Sequence, residues 1–392
     1  MNKMVRIVIE DFKHMAGYNC QLSSMRKVLA YGGIKLSEPM ILGLCSGLGF
    51  FYYYMKRMPF PMMLGLAVKK TEVFERTITR LGGSAKMTET ASMNAAHNNL
   101  VKLLESGQPA ITFVDFAYLP FFFAEGAPIP NEGAGHFGGH TFVTYGIDEE
   151  KDEAYVSDRF AKPFTMSYEQ LKAARGSNFA PFPARNKLVE LVFPKKVKDL
   201  KSILPQAIKA NVDFMENPPI TNMGLKGFGK WRKMLPTWGT DFKGENLLYG
   251  LVSTFIYMET GGSGGALFRP VYKEFLEEAG ELLNNDGLLK AAELFGEATE
   301  KIRDLEEMIL PDDLPNIAKL REVFLKSNKI QEAGEKDYQK QLKALDEQSE
   351  EAIKGARKEA DKWKDHIPQI DKGIQAWHEV EAKAWEVIKN SL

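Results

Sequence analysis

The sequence has few cysteines. Cys20 and Cys45 are the two cysteines among 392 residues, and they lie far apart in the chain. A disulfide framework and a metal site of the Cys-x-x-Cys type are therefore excluded, and so low a cysteine content is typical of a reducing compartment.

A charge imbalance and long apolar runs are also absent. The 51 basic and 52 acidic side chains leave a formal net charge of -1, which removes the usual electrostatic argument for a nucleic-acid partner. The most apolar segment, Phe116 to Ala124, contains Pro120 and is far shorter than the ~20 residues of a membrane helix. Acidic Glu10 follows only a short apolar run, so the start is not a signal peptide. We expect a cytoplasmic protein with no nucleic-acid partner and no membrane span.

What the sequence does contain is a strand-like first half. Alternating segments rich in β-branched and aromatic residues predict strands at 4–11, 110–116, 140–148, 153–160 and 187–193. Turn-like stretches separate the last three segments, which favours an antiparallel sheet over a doubly wound one.

The second half is helical in character. From Phe268 onward the apolar residues recur at helical spacing, and in 331–392 a charged face accompanies the apolar series Ile367, Ile370, Ile374 and Trp377. The Pro-, Gly- and Lys-containing stretch from Pro218 to Lys243 predicts a long ordered loop. A glycine run, 261–265, precedes a predicted helix but lacks the Lys-Ser/Thr of a nucleotide-binding loop, so no cofactor is expected.

These changes in composition predict an α+β domain at 1–200 and a helical region at 201–392. The resemblance described below divides that region into a helical domain at 201–310 and a charged amphipathic helical extension at 311–392. The extension is either a helical cap or an arm for a homo-oligomeric contact. Part of 201–392 is expected to pack over the mouth of a site in the first domain.

Cys20 is the first candidate for chemistry. It follows Gly17-Tyr18-Asn19 and begins an amphipathic segment, CQLSSMRKVLAYGG, that ends at Gly32-Gly33. A thiol at a helix N-terminus is stabilised as the thiolate by the helix dipole and the unpaired backbone N–H groups, which can also hold an oxyanion. The alternative is a buried cysteine that acts only as a small apolar residue.

His140 and Asp158 are the other two candidates. His140 stands at the entrance of a predicted strand, where its ring can serve as a general base. Asp158 lies on the next predicted strand, close enough in an antiparallel pair to fix the histidine tautomer. A structural histidine is the alternative, and His136 lacks a third ligand for a metal site. The chain order Cys, His, Asp is that of papain-like folds.

Longer motifs resemble one known family. The segments that carry the resemblance are HMAGYNCQLSS (14–24), the Ser37-Glu38 pair, GLGFFY (47–52), VDFAYLP (114–120), HFGGHTFVTYGID (136–148) and VSD (156–158). Together they are similar to the butirosin biosynthesis protein H family. TGGSGGALFRPVYKEFLEEAG (260–280) resembles the domain of unknown function that usually follows, so the resemblance covers roughly 1–310.

The resemblance implies a papain-like fold, related to the double-glycine leader peptidases, that is used for acyl transfer. The founding member moves an acyl group from an acyl carrier protein to an amine of an aminoglycoside. Carried over to this sequence, Cys20 matches the nucleophile, His140 the base and Asp158 the orienting acid.

The resemblance also implies an oxyanion hole and substrate contacts around the nucleophile, for which the candidates are His14, Gly17, Asn19 and Gln21. Papain-like enzymes have a glutamine six residues before the cysteine. This sequence has His14 there, which could donate a hydrogen bond from a ring nitrogen.

Three functions remain open from the sequence. The first is an N-acyltransferase that takes its acyl group from a carrier-protein or CoA thioester and gives it to an amine-bearing small molecule. The second is a cysteine amidase or peptidase in which water resolves the same acyl-enzyme. The third is a non-catalytic binding module. Aromatic segments at 50–54 and 116–123 favour a dry acyl pocket, although core packing explains them equally well.

Overall fold

The fold is α+β, as the sequence predicts. A computed structural model describes residues 4–54, 58, 60–67, 69, 71–129, 135–180, 182–242 and 244–392. Helices account for 59% and strands for 13%, with an antiparallel sheet followed by a helical C-terminal region. Gly133 and Ala134 before His140, and Lys243 at the end of the expected loop, lie outside the described residues.

The strands have the following bounds. They are β1 (Arg6–Val8), β2 (Leu48–Tyr53), β3 (Met62–Leu66), β4 (Ser84–Thr88), β5 (Ala110–Val114), β6 (His140–Asp148), β7 (Glu153–Ser157), β8 (Phe164–Ser167) and β9 (Leu188–Val192).

The helices have the following bounds. They are α1 (Cys20–Tyr31), α2 (Glu38–Leu44), α3 (Glu72–Arg80), α4 (Met93–Glu105), α5 (Tyr168–Gly176), α6 (Leu200–Glu216), α7 (Gly224–Met234), α8 (Trp238–Asp241), α9 (Glu245–Phe255), α10 (Arg269–Leu283), α11 (Asp286–Ile309), α12 (Pro315–Ala333), α13 (Tyr338–Trp363) and α14 (Ile367–Ser391).

These elements form two compact units, each built from separate stretches of the chain. The first unit contains Met1–Ile41, Lys70–Lys198 and Lys329–Ala344. The second contains Leu42–Lys69, Asp199–Asn328 and Leu345–Leu392.

The sheet of the first unit is antiparallel throughout. Its strand order is β4-β9-β5-β6-β7-β8, and β1 also pairs with β6. The register sets His140 opposite Val114 on β5, and Val143 opposite Ser157 on β7. The start of β6 and the end of β7 therefore lie at the same end of the sheet.

Helix α1 begins and ends where the sequence predicts. Asn19 caps its N-terminus, and the chain leaves the helix through Gly33, whose φ of 85° suits glycine. The face that carries Leu22, Met25 and Leu29 is fully buried. Burial of this face fixes the rotation of the helix, and with it the direction in which Cys20 points.

Residues 329–344, here called the strap, join the first unit from the C-terminal half of the chain. Gln331 Nε2 donates to the carbonyl oxygen of Phe122 at 2.6 Å, and Tyr338 Oη donates to that of Phe121 at 2.7 Å. Glu332 pairs with the buried guanidinium of Arg159 at 2.7 Å. The strap thus holds the aromatic segment 116–123 and the residue that follows Asp158.

The second unit is helical apart from the β2–β3 hairpin. The expected loop at 218–243 is wrong, because most of this stretch is helix α7 and the short α8. Glycines in this stretch allow helices to pack closely and do not form a loop. A side chain at Gly227, for example, would press against the ring of Phe50, which stacks on Phe228 at 4.3 Å. The aromatic residues at 50–54 therefore belong in part to this core.

A buried ion pair lies at the centre of the second unit. Arg269, at the start of α10, makes a bidentate contact with Glu381 of α14, with distances of 2.9 and 2.6 Å. The indole N–H groups of Trp377 and Trp385 also donate to Glu381, and both charged side chains have no exposed surface. The side chain of Arg269 is therefore held inside this unit by Glu381.

We expect Arg269→Met to lower the free energy of unfolding by about 3–5 kcal/mol, because it leaves the Glu381 carboxylate buried without its counter-charge. Chemical denaturation monitored by tryptophan fluorescence measures this. The matched control is Arg232→Met, which removes an equally bidentate pair with Asp371 whose side chains are 34% and 35% exposed, and which we expect to cost at most about 1 kcal/mol. Equal losses in the two variants would contradict the special role given to burial.

Candidate active site

Cys20 is the first residue of α1, and the cap positions it. The Asn19 side chain accepts the backbone N–H groups of Gln21 at 2.9 Å and Leu22 at 3.1 Å. The side chain of Asn19 therefore binds the two backbone N–H groups that follow Cys20, and it does not bind the N–H of Cys20 itself. Cys20 as a whole residue is partly exposed, and it lies at the positive end of the helix dipole.

His140 and Asp158 are joined by a short hydrogen bond. His140 is the first residue of β6, and Asp158 directly follows the last residue of β7. The distance from His140 Nε2 to Asp158 Oδ2 is 2.6 Å, and both side chains are buried. The other carboxylate oxygen accepts the N–H of Arg159 at 2.7 Å. Asp158 thus fixes the tautomer and the orientation of the ring.

The Cys20 sulfur lies within hydrogen-bonding reach of the His140 ring. Because Nε2 is bonded to Asp158, Nδ1 is the nitrogen left to face the sulfur. The backbone N–H of Thr141 also helps to lower the pKa of the Cys20 thiol. The structure therefore brings the three residues singled out in the sequence into one connected line, Cys20–His140–Asp158.

The electrostatics of this line favour a thiolate beside an imidazolium. Burial alone raises the pKa of Cys20, but the charge and hydrogen bond of His140 outweigh it, so the pKa lies below its ordinary value. Burial lowers the pKa of His140, but Asp158 and the Cys20 thiolate raise it to about 9. Burial raises the pKa of Asp158, and His140 and Lys27 bring it below its ordinary value.

Aromatic side chains surround the histidine. The His140 ring makes edge contacts with Phe122 at 5.1 Å and Phe116 at 6.0 Å between ring centroids. Both rings come from segment 116–123, whose backbone carbonyl oxygens accept hydrogen bonds from the strap. This segment shields the imidazole from water.

His14 has partners other than those expected. Its Nε2 donates to the carbonyl oxygen of Phe160 at 2.9 Å, so Nδ1 of the neutral ring accepts from Ser157 Oγ at 2.7 Å. Both ring nitrogens are therefore used, and burial lowers the pKa of His14, which disfavours a second ring proton. To donate to an oxyanion, His14 would have to release Phe160, so its role in an oxyanion hole stays a prediction that these contacts do not favour.

Gly17 and Glu38 shape the approach to the nucleophile. The buried Glu38 carboxylate accepts the N–H of Tyr18 at 2.9 Å and of Asn19 at 3.2 Å. A side chain at residue 17 would collide with this carboxylate. Gly17 is thus needed for close approach, and Asn19 is the helix cap. The expected substrate contacts of both residues stay predictions.

Some buried polar atoms on the elements that carry Cys20 and His140 have no hydrogen-bond partner among the described residues. They include Oε1 of Gln21 and Oγ of Ser24 on α1, and Oγ1 of Thr141 on β6. Buried polar groups are normally paired, so these atoms are exceptions near the two ends of the candidate site.

A metal site finds no support in the described part of the chain, where no group of three or more His, Cys, Asp and Glu side chains converges. His136, the histidine weighed as a ligand, instead binds Asp115 at 2.7 Å with both side chains fully buried. Asp115 also accepts from Ser177 and from the N–H of Phe137 at 3.0 Å. This second Asp–His pair anchors the segment that leads into His140.

Sequence reasoning missed three contributors to the site. Glu38 and Ser157 entered the sequence analysis only as members of motifs, and Lys27 only as part of the amphipathic segment after Cys20. The spacing of Lys27, two helical turns after Cys20, was the available signal, because positions seven apart share a helix face.

No helix in the described residues is both long enough and apolar enough to cross a membrane.

Alkylation by iodoacetamide tests the thiolate. We expect Cys20 to react at neutral pH much faster than Cys45, which is fully buried and donates to the Leu42 carbonyl oxygen. In His140→Ala the thiolate loses its imidazolium, so we expect the Cys20 rate at pH 7 to fall at least about tenfold, one pKa unit. Peptide mass spectrometry at several pH values measures both sites. Faster labelling of Cys45, or an unchanged Cys20 rate in the variant, would show that the pair does not exist in solution.

Two family models match the chain in succession. Residues 19–159 match the model described as butirosin biosynthesis protein H, N-terminal, and residues 169–342 match the domain of unknown function DUF4872. No protein among those of curated function matches significantly. The first match contains Cys20, His140 and Asp158, and the second extends beyond position 310 into the strap. The chain is therefore similar to the N-terminal domain of butirosin biosynthesis protein H, followed by that domain of unknown function, in the order that the sequence motifs predict.

Proposed function

We propose that this protein is a cysteine-dependent N-acyltransferase of papain-like fold, with Cys20 as nucleophile, His140 as base and Asp158 as orienting acid. The observation that carries the proposal is the connected line from the Cys20 sulfur through His140 to Asp158. The match of residues 19–159 to the N-terminal domain of a biosynthetic protein supports it. The donor is a thioester on an acyl carrier protein or CoA, and the acceptor is an amine-bearing small molecule.

In the first half-reaction the Cys20 thiolate attacks the thioester carbonyl carbon. The new C–S bond forms, and the carbonyl oxygen takes the negative charge. Collapse of this intermediate breaks the bond to the donor sulfur, which leaves as a thiolate and takes the proton from the His140 imidazolium. The products are an acyl-cysteine, the free donor thiol and neutral His140.

In the second half-reaction the acceptor amine attacks the acyl-cysteine. Neutral His140 takes the proton of the attacking nitrogen, and collapse of the intermediate expels the Cys20 thiolate. The amide is formed, and the thiolate–imidazolium pair is restored. In both half-reactions the Asp158 carboxylate stabilises the positive charge of the imidazolium without itself taking a proton.

For the oxyanion we propose the backbone N–H of Cys20, which lies outside the cap bonds made by Asn19. Gln21 could contribute only through the N–H donors of its carboxamide, because its unpaired buried oxygen is an acceptor. His14 is not part of this proposal, since both its ring nitrogens are engaged.

Hydrolysis of the same acyl-enzyme is the second candidate, and the partial exposure of Cys20 is the observation in its favour. The rings of Phe116 and Phe122 against His140 favour transfer, because the base that would activate water lies in an apolar environment.

Incubation with a panel of acyl thioesters tests the function. We expect intact-mass analysis to reveal one acyl group per chain, mapped to Cys20 and absent from Cys20→Ala. A cognate amine should discharge it faster than water does. Rapid discharge by water alone would favour the hydrolase, and a chain that no thioester acylates and iodoacetamide does not label at Cys20 would favour the binding module.

The acylation step should have a bell-shaped pH dependence. Below the pKa of Cys20 the thiolate is lost, and as the pH rises through about 9 His140 loses the proton that the departing thiol needs. Alkylation by iodoacetamide needs no such proton, so its rate should stay high above pH 9. Stopped-flow acylation and alkylation rates compare the two. An acylation rate with no alkaline decline up to pH 10 would exclude His140 as the acid.

Asp158→Asn should slow acylation less than Cys20→Ala or His140→Ala does, because Asp158 orients the base and forms no bond to the substrate. Single-turnover rates of the three variants at pH 7 provide the comparison. Equal losses in all three would contradict this division of roles.

A further inference from the structure

Lys27 is a buried lysine beneath the candidate active site. It lies on α1, two turns after Cys20, and its side chain is 1% exposed. The ammonium nitrogen Nζ donates to the carbonyl oxygen of Asp158 at 2.7 Å and to that of Ser157 at 3.5 Å. It also lies 2.6 Å from Ser23 Oγ.

This position is unfavourable for a lysine. Lysine is almost never fully buried without a partner, and burial of its charge has a large cost. Burial lowers the pKa of Lys27 to about 8, against the opposing attraction of Asp158 and Glu38. The neighbouring positions on α1, Val28 and Leu29, are apolar and buried, so packing alone does not call for an ammonium group here.

The charges around Lys27 indicate what its ammonium group does. The groups that act on it are the carboxylates of Asp158 and Glu38, the guanidinium of Arg26 and the sulfur of Cys20. Lys27 in turn acts on His14, whose own pKa it helps to lower. In the reactive state the thiolate and the Asp158 carboxylate carry two negative charges, and the imidazolium provides one positive charge. Lys27 provides the second.

We propose that Lys27 is a positioning residue that holds Asp158 by its backbone and supplies the second positive charge needed to keep the Cys20–His140–Asp158 line ionised. The proposal rests on the proposed function. Two contacts to the carbonyl oxygens on either side of the Asp158 α-carbon fix where the carboxylate meets the ring. The ammonium charge then favours the ionised Asp158, which in turn favours the imidazolium and the thiolate.

The primary test is the pH profile of Cys20 alkylation in Lys27→Gln, which keeps a donor to the carbonyl oxygens and removes the charge. We expect a rate about tenfold lower than wild type at pH 6 and within twofold of wild type at pH 9.5, where the thiolate is formed in both. Lys102→Met, at an exposed lysine on α4 of the same unit, is the matched control and should follow wild type throughout. Near-UV circular dichroism checks the fold, and Lys27→Met replaces the glutamine variant if that variant does not fold.

A double variant shows whether Lys27 acts through Asp158. Adding Lys27→Gln to Asp158→Asn should lower the pH 6 rate by less than it does in wild type, since the charge that Lys27 supports is already gone. Additive losses would overturn the proposed route.

The outcomes separate this proposal from the proposed function. A Lys27→Gln profile that superimposes on wild type, or one lowered by the same factor at every pH, overturns the role of Lys27 while the catalytic pair stands. A wild-type Cys20 with the pKa of an ordinary thiol, unchanged in His140→Ala, overturns both.

Discussion

The 2.6 Å hydrogen bond between His140 and Asp158 is the constraint around which the first unit is organised. It joins the start of one strand to the residue after the next, so it depends on the β6–β7 register. Every other contact to Asp158 supports it. The N–H of Arg159 holds the second carboxylate oxygen, and Lys27 holds the carbonyl. A buried carboxylate without these donors would take up a proton and lose its hold on the imidazolium.

A second buried carboxylate that is held by backbone N–H groups lies at the N-terminus of α1. Glu38 is buried, and burial raises its pKa, yet it accepts two backbone N–H groups directly before the nucleophile. The absence of a side chain at Gly17 makes that approach possible. Burying a carboxylate costs stability, but it holds the backbone around the Cys20 sulfur rigidly in place, as is usual at sites where geometry matters more than packing.

The sequence predicted those parts of the fold that depend on local pattern. The long alternating strands and α1 with its glycine stop were predicted within a few residues, whereas the short, polar β4 and β8 carry too weak a pattern. The prediction of a loop at 218–243 was wrong because a segment rich in glycine looks the same in sequence whether its glycines form turns or, like Gly227, allow close packing of a helix. Cys20, His140 and Asp158 were selected by residue type, chain order and resemblance. The partners of His14 and Lys27 were beyond reach, because Ser157 and Phe160 lie more than a hundred residues away in the chain and are brought near only by folding.

The strap has a consequence for how such a chain can be divided. Gln331, Tyr338 and Gln339 are the partners of four backbone carbonyl oxygens in segment 120–123, the segment that lies against the His140 ring. A fragment cut after the first matched domain would lose these partners and the counter-charge of Arg159. The boundary drawn by sequence similarity near residue 160 is therefore not a boundary of the folded object. A chain that contained the first matched domain without the second would lack the strap, and its first unit would be incomplete. This is a physical reason for the two matched domains to occur in one chain.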